Sequence, residues 1–290
     1  MKYYEILEGA IDLHMHTGPS RLPCRMDFLD AAREAEATGM RAIVYKPFYF
    51  TTMDRAFIAE KSVVKLKVFG GIVLDYGMGG LNPTVVKNAI DEGAKFVWMP
   101  LFDSKHTLQS LSKNSLYSDM VSSTKGLEIL TPEEEIIPEV REILEIISKT
   151  PHVILETSHL SPKESIKLAA EAKRLGCKNV LVTHPLSSVI GATQEEIREM
   201  AGLGAIINHC VAPCYPNPLR DGLNPKVIAD SIKDIGAKYC VLSSDSGNIH
   251  GPSPVEGLRA FCEMMKTAGV SKKEIEIMIK ENPTDILGLS

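Results

Sequence analysis

The chain has 290 residues, of which 44% are hydrophobic and 24% are charged, and its formal net charge is −5. This is the composition of a globular protein with a large core, and without a basic block it argues against nucleic acid or an anionic membrane as a partner. No apolar run approaches the roughly 20 residues of a membrane helix, and the charged first ten residues are unlike a signal peptide. We expect a cytoplasmic protein that acts on a small molecule, with a homo-oligomer as one option.

Short apolar runs along the chain predict eight β-strands. The runs are Ile11–His14, Arg41–Lys46, Lys67–Leu74, Ala94–Met99, Val153–Glu156, Asn179–Thr183, Ala205–Asn208 and Lys238–Ser243. Each is a nearly continuous series of Val, Ile and Leu, which is typical of a parallel strand buried on both faces.

Helix-start signals separate these strands. Capping residues, several followed by proline or by a glutamate three positions later, predict helix N-termini at Asn82, Thr131, Ser161, Thr193, Asn224, Ser253 and Ser271. Strands that alternate with helices over this length predict an α/β fold, a (β/α)8 TIM barrel, as a single domain over residues 1–290. A doubly wound open sheet is the alternative, but it more often has five or six strands and a glycine-rich first turn.

The segment Leu101–Leu130 follows the fourth predicted strand and is too long for an ordinary loop. It leaves the strand at the end where barrels place their active sites. We predict that residues 101–130 form an extended loop insertion that covers or lines the site.

The six cysteines are scattered and show no CxxC spacing. This pattern favours free thiols in a reducing compartment over disulfides or a cysteine-rich metal site. A metal role for Cys210 and Cys214 has little support from their spacing.

Seven of the eight histidines lie at or after the C-terminal ends of predicted strands. His14 and His16 close the first strand, and residues two apart in a strand point to the same side. Because parallel strands bring their C-terminal ends to one rim, side chains from several strands can converge there. A lone histidine at such a place is more often a hydrogen-bonded polar residue, but the joint pattern favours a metal site.

The candidate metal ligands are His14, His16, His159, His184 and Asp245, which follow strands one, five, six and eight. Neutral imidazole and carboxylate together suit zinc, with manganese or iron as alternatives. We therefore predict one or two divalent metal ions, with zinc as the first choice.

These residues resemble the amidohydrolase superfamily in their order: an HxH pair closing strand one, histidines after strands five and six, and an aspartate after strand eight. The closing segment 281–289 is also similar to the end of such proteins, so the resemblance extends from Asp12 to Leu289. More narrowly, residues 12–20 and 97–100 resemble an uncharacterised amidohydrolase-like group. The resemblance implies a hydrolase that uses metal-activated water, with Asp245 as general base, on an amide, lactone or ester of a small substrate.

One departure from the superfamily leaves the number of metal ions open. Binuclear members commonly bridge their metals with a carbamylated lysine or a glutamate at the end of strand four, where this chain has Val97–Pro100. Asp103 is the nearest carboxylate, and Lys46 lies at the tip of strand two. Lys46 is a candidate for a carbamylated bridge, for a contact with an anionic substrate, or for a purely structural lysine.

Further polar residues near the predicted rim are candidates for bridging metals or binding substrate. They are His106, His209, Arg220 and His250, in addition to Lys46 and Asp103. His209 closes strand seven, whereas His106 and His250 lie in loops and could equally be solvated.

Two rival functions remain from the sequence. A PHP-type phosphoesterase has a similar opening to Asp12–Thr17, but it expects a histidine-rich motif where this chain has Lys46-Pro47-Phe48, and it has seven strands. A non-catalytic ligand-binding barrel is the other rival, since a fold is no proof of function. The presence of Asp245 argues against it.

Overall fold

The computed structural model describes residues 2–110, 121, 124–215 and 222–289. It contains nine strand segments among these residues: β1 Ile11–Met15, β2 Ala42–Tyr45, β3 Lys67–Phe69, β4 Gly71–Val73, β5 Phe96–Trp98, β6 Ile154–Glu156, β7 Asn179–Thr183, β8 Ile206–Cys210 and β9 Cys240–Ser243. The α-helices are α1 Phe28–Ala37, α2 Met53–Lys61, α3 Pro83–Asp91, α4 Lys105–Ser110, α5 Pro138–Ser148, α6 Pro162–Leu175, α7 Gln194–Gly202, α8 Pro225–Ile235, α9 Pro254–Thr267, α10 Lys272–Glu276 and α11 Asn282–Leu287. A π-helical turn, Ile277–Glu281, joins the last two helices.

The chain divides into two compact units. One consists of Met1–Pro47, Thr52–Gly70 and Asn208–Ser290, and the other of Phe48–Thr51 and Gly71–Ile207. The single domain predicted over residues 1–290 stays a prediction.

In the first unit, β1, β2 and β3 form a parallel sheet in that order, with Ile11 opposite Ala42 and Ala42 opposite Lys67. The end of β9 lies beside the end of β1, because the Asp245 N–H donates to the His14 carbonyl at 2.7 Å. All residues of β1, β2 and β9 are buried, as expected for strands covered on both faces.

In the second unit, β4, β5, β6 and β7 pair in parallel in that order. All three residues of β5 and all three of β6 are buried, and helices alternate with these strands along the chain. No helix in the described part of the chain is long and apolar enough to cross a membrane.

The third predicted strand is interrupted. Residues 67–74 form two segments, β3 and β4, separated by Gly70. A Cβ at Gly70 would overlap the carbonyl group of Thr52, so the backbone approaches too closely there for any other residue. The prediction of extended chain over this apolar run is confirmed, but the prediction of one continuous strand is wrong.

The predicted helix start at Thr131 is wrong. The helix α5 begins at Pro138, with Ile137 as its N-cap. The Ile137 N–H donates to the Ile129 carbonyl at 3.0 Å and the Thr131 N–H to the Glu135 carbonyl at 2.8 Å, so the intervening residues make a turn. Because of this pairing, no helix begins at the capping signal of Thr131, and Pro138 takes the first helical position instead. The other six predicted N-caps are confirmed: Asn82, Ser161, Thr193, Asn224, Ser253 and Ser271.

The described part of the predicted insertion 101–130 contains the short helix α4, whereas residues 111–120 and 122–123 lie outside the described residues. Its two flanks are tied together, because the Leu127 N–H donates to the Asp103 carbonyl at 2.6 Å and the Lys105 N–H to the Leu127 carbonyl at 2.9 Å. That this segment covers the site stays a prediction.

Replacing Ser161 with alanine is expected to lower the free energy of unfolding by about 1 kcal/mol. Its hydroxyl accepts from the Glu164 N–H at 3.3 Å, and the Glu164 carboxylate accepts from the Ser161 N–H at 2.9 Å, so both bonds of a capping box are present. Urea unfolding measures the change. Ser148→Ala, at the exposed end of α5, is the matched control, and an equal loss in both variants would contradict the capping role.

Candidate metal centre

Three of the predicted ligands converge in the first unit. The imidazole nitrogens of His14 and His16 and a carboxylate oxygen of Asp245 lie within 4.8 Å of one another. Asp245 Oδ1 is 3.4 Å from His14 Nε2 and 3.0 Å from His16 Nε2. All three residues are at most 3% exposed. Among the described residues, this is the one group of three or more His, Cys, Asp or Glu side chains that could hold a metal ion.

Backbone pairing between the ends of β1 and β9 brings these residues together. The His14 carbonyl accepts from the Asp245 N–H at 2.7 Å, and the His16 N–H donates to the Ser246 carbonyl at 2.9 Å. Since His14 and His16 are two residues apart, both rings reach the same side of the strand. Their centroids are 5.2 Å apart, with the rings nearly perpendicular.

Asp12 joins the same two strand ends from within β1. Its Oδ1 accepts from the His14 N–H and from the Ser244 N–H, both at 3.1 Å. Burial raises the pKa of its carboxyl group to about 7, although these hydrogen bonds act in the opposite direction. Asp12 therefore positions the backbone on both sides of the centre.

The hydrogen bonds of His16 test whether a metal fits. His16 Nδ1 is 2.9 Å from the Lys46 carbonyl oxygen, which can only accept, so Nδ1 carries the proton. Burial lowers the pKa of His16, which favours a neutral ring whose Nε2 presents a lone pair to Asp245 Oδ1. Two acceptors 3.0 Å apart are satisfied by a cation between them. Imidazole nitrogen with carboxylate oxygen is a donor set that suits zinc, and we conclude that these residues fit a divalent metal.

Lys46 contributes to this centre in two ways. Its carbonyl orients His16, and its side chain is only 2% exposed at the tip of β2. Burial first, and then the Lys46 charge, hold the pKa of His14 well below its usual range. A positive charge close to both histidines favours their neutral forms, which are the forms that bind metal.

His159 and His184 lie together in the second unit, with ring centroids 5.2 Å apart. The Thr107 hydroxyl donates to the Leu101 carbonyl at 2.8 Å and therefore accepts from His159 Nδ1, 3.1 Å away. His184 Nδ1 is 3.0 Å from the Ser187 hydroxyl. In His159 this arrangement leaves Nε2 as the acceptor nitrogen, as a metal ligand requires.

Backbone strain is concentrated at these strand ends. Ser158, His184 and Asp245 have positive φ angles of 50°, 25° and 46°, and they are three of the five non-glycine residues with positive φ in the described chain. Such conformations are costly for residues other than glycine and cluster at functional sites. Their occurrence beside the candidate ligands supports a functional role for these strand ends.

Asp103 lies where the loop that follows β5 contacts the loop that follows β4. Its Oδ2 accepts from the Tyr76 N–H at 2.9 Å, while Asp75 Oδ1 accepts from the Leu101 N–H at 2.7 Å. Burial, followed by the charge of Asp103, raises the pKa of Asp75 to about 7. Each of the two carboxylates thus accepts from a backbone N–H of the other loop, and these hydrogen bonds hold the start of the 101–130 segment in place.

The remaining predicted residues differ in their surroundings. His106 Nε2 donates to the Ile190 carbonyl at 3.0 Å. His209 is buried, which lowers its pKa to about 3, and its Nε2 has no hydrogen-bond partner among the described residues. His250 is exposed, and Arg220 lies outside the described residues.

The sequence did not predict the contacts that two residues make near the centre, Asp12 and Cys210. Asp12 interrupts an apolar strand, and a polar residue at such a position is a recognisable signal. Cys210 lies with its Sγ 3.8 Å from His14 Nδ1. It follows His209 directly in the sequence, but no local pattern indicates its contact with His14.

Solved structures of similar fold cover nearly the whole chain. A Deinococcus radiodurans PTE-like lactonase mutant has a TM-score of 0.64 at 14% identity, covering 99% of this chain and 97% of its own. An amidohydrolase from Burkholderia multivorans has a TM-score of 0.60 at 12% identity, and the match covers 96% of this chain and 99% of the amidohydrolase chain. The metallopeptidase dipeptidase AC has a TM-score of 0.63 at 10% identity, covering 97% and 98%.

At these identities the likenesses show the fold alone, and they confirm the predicted (β/α)8 fold class. No curated protein matches the sequence. Residues 9–208 match the model of a family described as a family of unknown function, DUF6282. This match covers more than half of the 290 residues, and the chain therefore belongs to the DUF6282 family.

Proposed function

We propose that this protein is a metal-dependent hydrolase of the amidohydrolase type. The observation that carries the proposal is the buried convergence of His14, His16 and Asp245, whose ligand atoms lie within 4.8 Å of one another. The fold likeness to a lactonase, an amidohydrolase and a dipeptidase supports the same class of reaction. The bond cleaved is proposed to be an amide, lactone or ester in a small, anionic substrate.

In the proposed mechanism, His14, His16 and Asp245 would hold the metal, with each histidine offering Nε2, the nitrogen that faces Asp245 Oδ1. A bound divalent metal supplies Lewis acidity, which lowers the pKa of water and polarises the oxygen of the scissile group. Asp245 accepts the proton of the attacking water and passes it to the leaving group. The Lys46 carbonyl keeps His16 in the tautomer that offers Nε2, since it lies 2.9 Å from Nδ1.

His159 and His184 are proposed as further metal ligands, because each has its Nδ1 beside a hydroxyl group, at 3.1 and 3.0 Å. Zinc is the proposed metal, with manganese and iron as alternatives that the same ligands accept. Lys46 is proposed either to contact an anionic group of the substrate or to bridge metals as a carbamate. Asp103, His106, His209, Arg220 and His250 remain weaker proposals for substrate contacts.

The six cysteines form no disulfide in the described part of the chain, which is consistent with a protein of a reducing compartment. We propose that the protein acts in the cytoplasm on a diffusible small molecule.

The experiment that tests this proposal is metal analysis by mass spectrometry. The purified protein, reconstituted with zinc and dialysed, is expected to retain about one equivalent or more, as a site with three protein ligands does. The His14→Ala/His16→Ala double variant is expected to retain none. His152→Ala is the matched control, because His152 is exposed and is not a candidate ligand, and it is expected to retain as much as the unmodified protein.

Equal metal content in the double variant and the control would mean that these histidines do not hold a metal. No retained metal in any of the three proteins would also overturn the proposal.

A further inference from the structure

The Cys210 thiol lies on the opposite side of the His14 ring from Asp245. Its Sγ is 3.8 Å from His14 Nδ1, whereas His14 Nε2 is 3.4 Å from Asp245 Oδ1. The thiol is 1% exposed, so water does not compete for this contact. Cys210 therefore occupies the place where a metal-binding histidine ordinarily meets a carboxylate or a carbonyl oxygen.

The same thiol also contacts Asn208, two residues earlier on β8. Its Sγ is 3.8 Å from Asn208 Oδ1 and 3.9 Å from the Asn208 carbonyl oxygen. Both of these oxygens can only accept, whereas a thiol is a weak donor and a weak acceptor. Cys210 can thus donate to Asn208 while it accepts from His14, or donate to His14 Nδ1 directly.

This ambivalence distinguishes His14 from His16. His16 faces the Lys46 carbonyl, which accepts from Nδ1 and permits one neutral tautomer. His14 faces a thiol that serves both neutral tautomers. When the proton of His14 is on Nε2 it points to Asp245, and the thiol donates to Nδ1. When the proton is on Nδ1 it points to sulfur, and the thiol turns to Asn208, so the ring carries one proton in both arrangements.

We propose that Cys210 is a positioning residue for His14: its thiol, between His14 Nδ1 and Asn208, holds the ring with Nε2 towards Asp245 in either tautomer. This inference rests on the proposed function, because the orientation matters for a residue that binds metal. In this role the buried thiol orients the ring of a metal ligand and takes no part in a chemical step.

The first test observes the His14 ring in the metal-free protein. Long-range proton–nitrogen NMR of histidine-labelled protein distinguishes Nδ1 from Nε2 and reports where the proton lies. The Cys210→Ala variant is expected to shift the His14 Nδ1 resonance and to move the tautomer population towards Nε2–H. Cys262→Ala, which removes an equally buried thiol from α9, is the control and is expected to leave both unchanged. An unmoved Nδ1 resonance in Cys210→Ala would overturn the inference.

The second test measures zinc affinity by competition with a chelator. Cys210→Ala is expected to weaken binding about 10-fold, as loss of a group behind a metal-binding histidine does. Cys262→Ala is expected to retain the affinity of the unmodified protein. Cys210→Ser, which keeps a donor and an acceptor, is expected to recover part of the loss, and it replaces the alanine variant in both tests if the latter does not fold.

The two possible failures are distinguishable. Equal zinc affinity in Cys210→Ala and Cys262→Ala would show that the thiol does not prepare His14 for metal binding. An unmodified protein that binds no zinc would instead overturn the proposed function, and the position of the Nδ1 resonance would then decide alone whether Cys210 holds the His14 ring.

Discussion

Replacing Asp245 with asparagine is expected to lower the hydrolytic turnover of the zinc-loaded protein about 100- to 10,000-fold, the range for loss of a general base. Asparagine has nearly the size of aspartate and keeps one oxygen, but it cannot accept the proton of the attacking water. The backbone bond from residue 245 to the His14 carbonyl, 2.7 Å long, does not involve the side chain, so the fold is expected to survive.

The measurement is turnover of the unmodified protein and the variant against the same set of lactones, esters and amides. Circular dichroism and zinc content are determined on the same samples. His152→Gln, an exposed change outside the predicted site, is the control and should retain full turnover. Equal turnover in Asp245→Asn and the unmodified protein would remove Asp245 from the mechanism.

Replacing Gly247 with alanine is expected to lower the free energy of unfolding by about 3 kcal/mol or more, which places it among severe substitutions. Gly247 has a φ angle of 125°, a conformation that residues with a Cβ rarely adopt. A Cβ built there would overlap the carbonyl oxygen of His16 and lie 2.8 Å from its carbonyl carbon. Because His16 must move to relieve this overlap, zinc affinity is expected to fall as well.

Gly251→Ala is the matched control for this prediction. Gly251 lies four residues later in the same loop, and the nearest atom to a Cβ there is Asn248 Oδ1 at an ordinary 3.9 Å. Urea unfolding and zinc titration of both variants measure the two effects. If Gly247→Ala were as stable as Gly251→Ala and bound zinc equally well, the close approach to His16 would have no consequence for the site.

Much of the fold could be predicted from the sequence, because its signals are local. Apolar runs correctly marked the strands, and six of the seven N-caps named above began helices where predicted. The failures arose where distant backbone competed with a local preference. Pairing of Ile137 with Ile129 displaced the capping signal at Thr131, and the approach of Thr52 interrupted the third strand at Gly70.

The candidate ligands could also be predicted from the sequence, but the hydrogen bonds that orient them could not. The two-residue spacing of His14 and His16 on a strand predicts that both rings face the same side. Asp245 follows β9, whose end lies beside the end of β1. Asp12, by contrast, accepts from the N–H groups of His14 and of Ser244, and Ser244 is 232 residues from Asp12 in the chain. Nothing within one strand indicates which distant N–H groups a buried carboxylate will accept from.

By itself the sequence determined the kind of site: the alternation of strands and helices, the strand ends that carry polar residues, and a donor set that suits a divalent metal. These properties depend on residue type and spacing within single elements. The tertiary structure alone decided which nitrogen of each imidazole faces Asp245. That choice depends on hydrogen-bond partners 30 residues away for His16 Nδ1 and 196 residues away for His14 Nδ1, which only the folded chain brings within reach.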